Sequence, residues 1–182
     1  EKKKIIAGNW KMNGNSESAK IIVEGIVAAA NASQHDVIIA PPFVYLSEVA
    51  QPIQGSKILL SAQNVSQQES GAYTGEISAE MLVNVKCQYV LVGHSERRQM
   101  YGETNELVAD KILAALNSGL TPILCVGETL DERESNAWKN IISQQLESVI
   151  ARCGIEQFSK IIIAYEPVWA IGTGKSASAE EA

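Results

Sequence analysis

Little in this 182-residue chain invites disulfide, metal or nucleotide chemistry. Its cysteines, Cys87, Cys125 and Cys153, stand far apart with no Cys-x-x-Cys pair. That fits buried thiols in a reducing compartment better than a disulfide or zinc framework. No His-x-x-His pair, carboxylate cluster or P-loop points to a metal or a nucleotide, so no cofactor is expected. Basic charge is also short: a net charge of −6 argues against nucleic acid or an anionic membrane as a general partner. It leaves room for a small anionic substrate, which needs only a locally positive pocket. The charged start, Glu1-Lys2-Lys3-Lys4, is followed by no long apolar run. Neither a signal peptide nor a membrane span is expected, and cytoplasm is the default location. No linker or low-complexity tract marks a second domain, so residues 1–182 are expected to form one.

What is present is a globular composition, 46% hydrophobic and 20% charged, in a chain long enough to bury a sizeable core. Short apolar runs recur at Ile5-Ile6-Ala7, Val37 to Ala40, Ile58-Leu59-Leu60, Tyr89 to Val92, Ile123 to Val126 and Ile161 to Tyr165. They are nearly continuous and do not alternate, as strands buried on both faces of a parallel sheet require. Helical stripes fall between them. One is Ala19, Ile22, Val23 and Ile26; a second is Val108, Ile112, Ala115 and Leu116; a third runs Trp138, Ile142, Gln145, Leu146, Val149 and ends at Gly154. Strand and helix in alternation predict a parallel α/β fold.

Polar residues then decide between a barrel and a doubly wound sheet. Asn9-Trp10-Lys11 follows the first strand, Gln63-Asn64 the third, Gly93-His94-Ser95-Glu96 the fourth, Gly127-Glu128 the fifth and Glu166-Pro167 the sixth. A doubly wound sheet gathers its ligand contacts at one switch point, whereas a (β/α)8 barrel collects them from many strands. A barrel is predicted. Only about six βα units are visible, however, against the eight that closure needs, usually in about 250 residues. Ser178-Ala179-Glu180-Glu181 matches a capping box, the start of a helix, and the sequence stops at Ala182. The expectation is a TIM barrel lacking roughly its C-terminal quarter, with open edges at strands one and six.

Glu166 ends a buried strand, so desolvation is expected to raise its pKa and make it a usable base. The alternative is a carboxylate paired with a core arginine. His94 precedes a short turn in which Ser95 is the expected N-cap, and helix N–H groups would favour its neutral form; a structural histidine is the other reading. Lys11 is either a solvated lysine or a substrate contact, and Asn9 either caps a turn or positions Lys11. Glu96 with Arg97 and Arg98 reads as an ion-pair cluster that holds the site, and Cys125 as core packing. From Pro167 to Lys175 (Pro167, Val168, Trp169, Ala170, Ile171, Gly172, Thr173, Gly174, Lys175) the pattern is a stiff hinge, an apolar tip and a flexible second hinge. That suits a lid, or else an ordinary connection. One base, one neutral acid, one cation and a glycine lid suit proton abstraction beside a carbonyl in an anionic substrate.

Three motifs sharpen this. Ala7-Gly8-Asn9-Trp10-Lys11-Met12-Asn13, Val92-Gly93-His94-Ser95-Glu96-Arg97-Arg98 and Ala164-Tyr165-Glu166-Pro167-Val168-Trp169-Ala170-Ile171-Gly172-Thr173-Gly174 resemble the triosephosphate isomerase family, in order and across the whole chain. The resemblance implies interconversion of dihydroxyacetone phosphate and glyceraldehyde 3-phosphate without metal or cofactor. It implies Glu166 as the base, a neutral His94 polarising the carbonyl, Lys11 offsetting negative charge, Asn9 placing Lys11 and Glu96 supporting them. Gly172 would give an N–H to the phosphate. The family is similar in being a homodimer, with Tyr73, Thr74, Gly75 and Glu76 in the connection from Gln63 to Glu76 as interface, Thr74 reaching the neighbour's site. The family's phosphate-binding loops after strands seven and eight have no counterpart here, so weak activity is expected of this chain alone. A non-catalytic truncated barrel, acting only in self-assembly or complementation, is the competing expectation.

Overall fold

A computed structural model describes residues 4–182, so the start at Glu1-Lys2-Lys3 lies outside the described residues. Six parallel strands lie in one sheet in sequence order: β1 Ile5–Asn9, β2 Asp36–Ala40, β3 Ile58–Ala62, β4 Tyr89–Val92, β5 Thr121–Val126 and β6 Ile162–Tyr165. Register runs evenly, with Ala7 opposite Ile38, Ile38 opposite Leu59, Val90 opposite Pro122 and Leu124 opposite Ile163. Each neighbouring pair is joined by a crossover containing helix, as parallel strands demand.

The continuous apolar runs are explained by a sheet whose inner strands bury both faces. Ile39, Leu60, Val90, Val92, Leu124 and Val126 point toward the helices and join the main core. Ile38, Ala40, Leu91, Ile123 and Cys125 form a smaller cluster on the opposite face, where a barrel has its interior. The edge strands differ. Every residue of β1 is exposed, including Ile5 at 48% and Ile6 at 53%, and Ile163 in β6 is 44% exposed. Burial on both faces therefore holds for β2 to β5 and fails for β1 and β6, which no further strand covers among the described residues.

The helices follow their stripes with one exception. Helix α1 (Ser16–Ala32) opens on an Asn15 capping box with Ser18 and buries Ala19, Val23 and Ala30. Ile22, expected on that stripe, is 43% exposed. Short helices α2 (Leu46–Ala50), α3 (Ala79–Asn84), α4 (Ser95–Met100) and α6 (Leu130–Glu134) sit at the strand ends. Helices α5 (Asn105–Asn117) and α7 (Trp138–Cys153) pack on each other, and α7 stops at Gly154 with φ +90°. The capping box at Ser178 forms, with Ser178 N–H to Glu181 Oε2 at 2.8 Å and Glu181 N–H to Ser178 Oγ at 3.3 Å. The helix expected from it is a single turn over 179–181, since one turn fixes several dihedrals for the bond from Ala182 N to Ser178 O.

Candidate active site

The reactive groups converge at the carboxyl ends of the strands. Asn9, the last residue of β1, accepts the Lys11 N–H at Oδ1 (2.9 Å), so Asn9 both closes a turn and positions Lys11. Lys11 adopts φ +54°, a left-handed conformation costing a lysine about 1–3 kcal/mol. Gln63, just past β3, holds it there. Its Nε2 donates to the Lys11 carbonyl at 2.8 Å and to the Ala40 carbonyl at 2.9 Å. The backbone is thereby fixed on both sides of the residue, and Lys11 Nζ lies 2.7 Å from Glu96 Oε1. The hydrogen bond from Lys11 holds the Glu96 carboxyl below its ordinary range, aided by His94 and opposed by partial burial.

His94 is reached through Gly93, whose φ is +73° and where a Cβ would press to 2.9 Å on Arg98 Nη2 and Val108 Cγ1. Glycine alone fits. His94 itself, and not Ser95, is the N-cap of α4: Nδ1 accepts the Glu96 N–H at 3.2 Å. The expected cap is thus displaced by one residue, because the imidazole reaches the N2 amide that a serine side chain otherwise serves. This hydrogen bond assigns the tautomer. With the Nδ1 lone pair engaged, the proton of the neutral ring lies on Nε2, which faces Glu166 Oε2 at 3.8 Å. The ion-pair cluster also differs from expectation. Glu96 pairs with Lys11, Arg97 pairs with buried Glu103 at 2.7 Å, and Arg98 donates to neutral acceptors: Gly93 O, Asn105 Oδ1 and Cys125 O. Cys125 is core packing, as expected, with burial pushing its thiol up to about 12.

Glu166 follows β6 and is placed by the backbone beyond β5. Its N–H donates to Val126 O and the Val168 N–H to Glu128 O, each at 2.9 Å. The two chains pass so closely at Gly127 that a Cβ would overlap the Glu166 carbonyl oxygen. The desolvation expected at a strand end is not met, because the Glu166 side chain is 56% exposed at the sheet edge.

Pro167 is buried and leads into a 3-10 turn, Val168–Ala170. The turn is pinned by Glu128, a fully buried carboxylate accepting from Trp169 Nε1 at 3.0 Å, from Tyr165 Oη at 2.8 and 3.0 Å, and from Arg133 at 3.4 Å. Burial, then the Glu128 carboxylate, pushes the Tyr165 phenol up to about 12. Thr173 Oγ1 bonds back to Trp169 O at 2.7 Å, and Gly172 and Gly174 take φ +66° and +76°. Gly172 is exposed and lines neither cavity at the site. One of these, about 260 Å³, is bordered by His94, Gly127, Gln145 and Glu166; the other, about 570 Å³, by Asn9, Lys11, Glu96, Gly75 and Glu76. The loop bearing Tyr73 and Thr74 is closed at its neck by Ser66 N–H to Ile77 O at 2.8 Å, with Tyr73 46% exposed. In the sequence Gln63 and Glu128 stand out only as polar groups at strand ends and Gln145 only as part of the α7 stripe; their roles in holding other residues are not legible there.

An aligned cation, imidazole and carboxylate on the carboxyl ends of parallel strands define an acid–base enzyme of the barrel class. A family model described as triosephosphate isomerase matches residues 4–182. The triosephosphate isomerase of Hydrogenovibrio crunogenus is 55% identical over 181 residues, 98% of this chain and 71% of that protein. Those of Colwellia psychrerythraea (52% over 178 residues; 96% and 70%) and Hahella chejuensis (50% over 181 residues; 100% and 72%) are similar. The chain belongs to the triosephosphate isomerase family, and its six strands and helices are about seven tenths of the length of these relatives.

Proposed function

We propose that the protein interconverts dihydroxyacetone phosphate and glyceraldehyde 3-phosphate through an enediolate, with Glu166 as the base. The carboxylate takes a proton from the carbon beside the carbonyl, and the electron pair moves to the carbonyl oxygen. The neutral His94 donates from Nε2 to that oxygen and shuttles protons between the two oxygens of the intermediate. Glu166 returns its proton to the neighbouring carbon, so the reaction balances with no external acid or oxidant. Lys11, set by Asn9 and steadied by Glu96, offsets the charge of substrate and intermediate. The observation that carries this reading is the 3.8 Å approach of His94 Nε2 to Glu166 Oε2, with Lys11 linked to the same imidazole through Glu96.

Pro167 to Lys175 serve as the lid, with Gly172 giving its N–H to the phosphate on closure and water exclusion protecting the enediolate. Residues 1–182 act as one domain in the cytoplasm, and the working form is a homodimer contacting its partner through Tyr73, Thr74, Gly75 and Glu76. Replacing Glu166 by Gln in the full-length natural protein tests the assignment. It removes the base while keeping the shape, and turnover is expected to fall at least about 10³-fold with KM changed far less. Turnover within tenfold of the unaltered enzyme would refute it.

A further inference from the structure

Gln145 is a polar residue on the apolar stripe of α7 and is 8% exposed. Its amide is spent entirely on one backbone unit. Gly127 N–H donates to Gln145 Oε1 at 3.0 Å, and Gln145 Nε2 donates to Gly127 O at 3.2 Å. The reason lies in the ladder beyond β5. Val126 O and Glu128 O turn one way, to the N–H groups of Glu166 and Val168. The polar groups of Gly127 therefore turn the other way, toward the side where β4 has ended at Val92 and the chain leaves through Gly93 and His94. Gly127 is half-buried, and without a partner there its N–H and its carbonyl would both lose their hydrogen bonds within the protein. The Gln145 amide replaces the missing strand.

We infer that Gln145 is a positioning residue for the base: it fixes the Gly127 peptide, over which the Glu166 backbone passes with no room for a Cβ. Helix α7 thereby sets the height of Glu166 against His94. The inference rests on the assignment of Glu166 as base. A peptide rotation at Gly127 would push on the Glu166 carbonyl, and misplacing a reacting group by about 1 Å costs on the order of 10²-fold in rate.

The test uses Gln145→Met and Gln145→Glu in the full-length natural protein. The first keeps the shape and removes both hydrogen bonds; the second keeps an acceptor for the Gly127 N–H but sets a carboxylate against the Gly127 carbonyl. For Gln145→Met, kcat is expected to fall about 10- to 100-fold with KM within about threefold, at all pH values alike. For Gln145→Glu, kcat relative to the unaltered enzyme should rise as pH falls, because the protonated carboxyl regains a donor for Gly127 O. If the Met variant folds poorly, the pH profile of the Glu variant decides. A kcat within twofold for folded Gln145→Met, or a pH-flat ratio for folded Gln145→Glu, overturns the inference. Glu166→Gln, run beside them, separates the two ideas. If it abolishes turnover while the Gln145 variants are neutral, only the positioning role fails; if it retains turnover, both fail.

Discussion

Lys11 and Glu166 stand at opposite edges of the same sheet, one after β1 and the other after β6, and they are held in different ways. Lys11 is locked by side chains: Asn9 takes its N–H, Gln63 its carbonyl and Glu96 its ammonium group. Glu166 is placed through its backbone, by the ladder with β5 and the bare Gly127, and its side chain is 56% exposed with only His94 Nε2 near it, at 3.8 Å. The cation is preset in a left-handed conformation, whereas the Glu166 carboxylate, the base of the proposed reaction, is tied by no hydrogen bond of its own side chain among the described residues. A charge that must stay put is fixed by several hydrogen bonds to its own peptide units. A group that is to be delivered by a closing loop is hinged instead.

The sharpest way to break that contrast is at Gly127. Gly127→Ala drives a Cβ into the Glu166 carbonyl, so turnover is expected to fall about 100-fold or more and stability by about 1–3 kcal/mol. Steady-state kinetics with a thermal melt measures both; turnover within tenfold would show that the close approach does not set the base. Next in size is Glu128. Glu128→Leu strands the Tyr165 hydroxyl and the Trp169 indole N–H, loosening the turn at Val168–Ala170 that opens the proposed lid. A loss of about tenfold in kcat/KM is expected, with kcat and KM both altered and faster proteolysis between 167 and 175. Glu128→Gln keeps an acceptor for both and should be milder, which distinguishes hydrogen bonding from charge.

The smallest effect concerns the locked side. Lys11 holds the Glu96 carboxyl below its ordinary range. A carboxyl depressed in the folded state adds stability above its unfolded pKa, and that contribution is lost as pH falls through the lower folded value. Lys11→Met should return the Glu96 titration toward the ordinary range, followed by carboxyl NMR, and flatten this part of the acid stability profile. The stability change should be slight, because both side chains are more than one third exposed. An unchanged Glu96 titration would mean that Lys11 does not set it.

Much of this was legible in the residues. All six strands fall where continuous apolar runs stand, and the three motifs carrying Lys11, His94 and Glu166 lie at the carboxyl ends, as the barrel reading required. Serine is a common cap, so the residues point to Ser95, yet the His94 ring reaches the Glu96 amide and gains its tautomer by doing so. Glu166 was expected to be desolvated because its strand is apolar; apolar sequence does not say whether a strand has neighbours on both sides. Gln63 and Glu128 stood out only as strand-end polar residues, and what they and Gln145 hold was not legible, since each acts on backbone or side chains distant in sequence.

Sequence by itself determined the periodicity, the turn chemistry and the motifs that carry Glu166, His94 and Lys11, because these depend on residues near one another along the chain. Tertiary structure alone decided which edge each reactive group occupies, that Gly127 lies under the Glu166 carbonyl, and that buried amides and carboxylates on other elements hold them there. Those are matters of where separate segments cross, and the hydrogen bonds that fix a crossing leave no local pattern in the sequence.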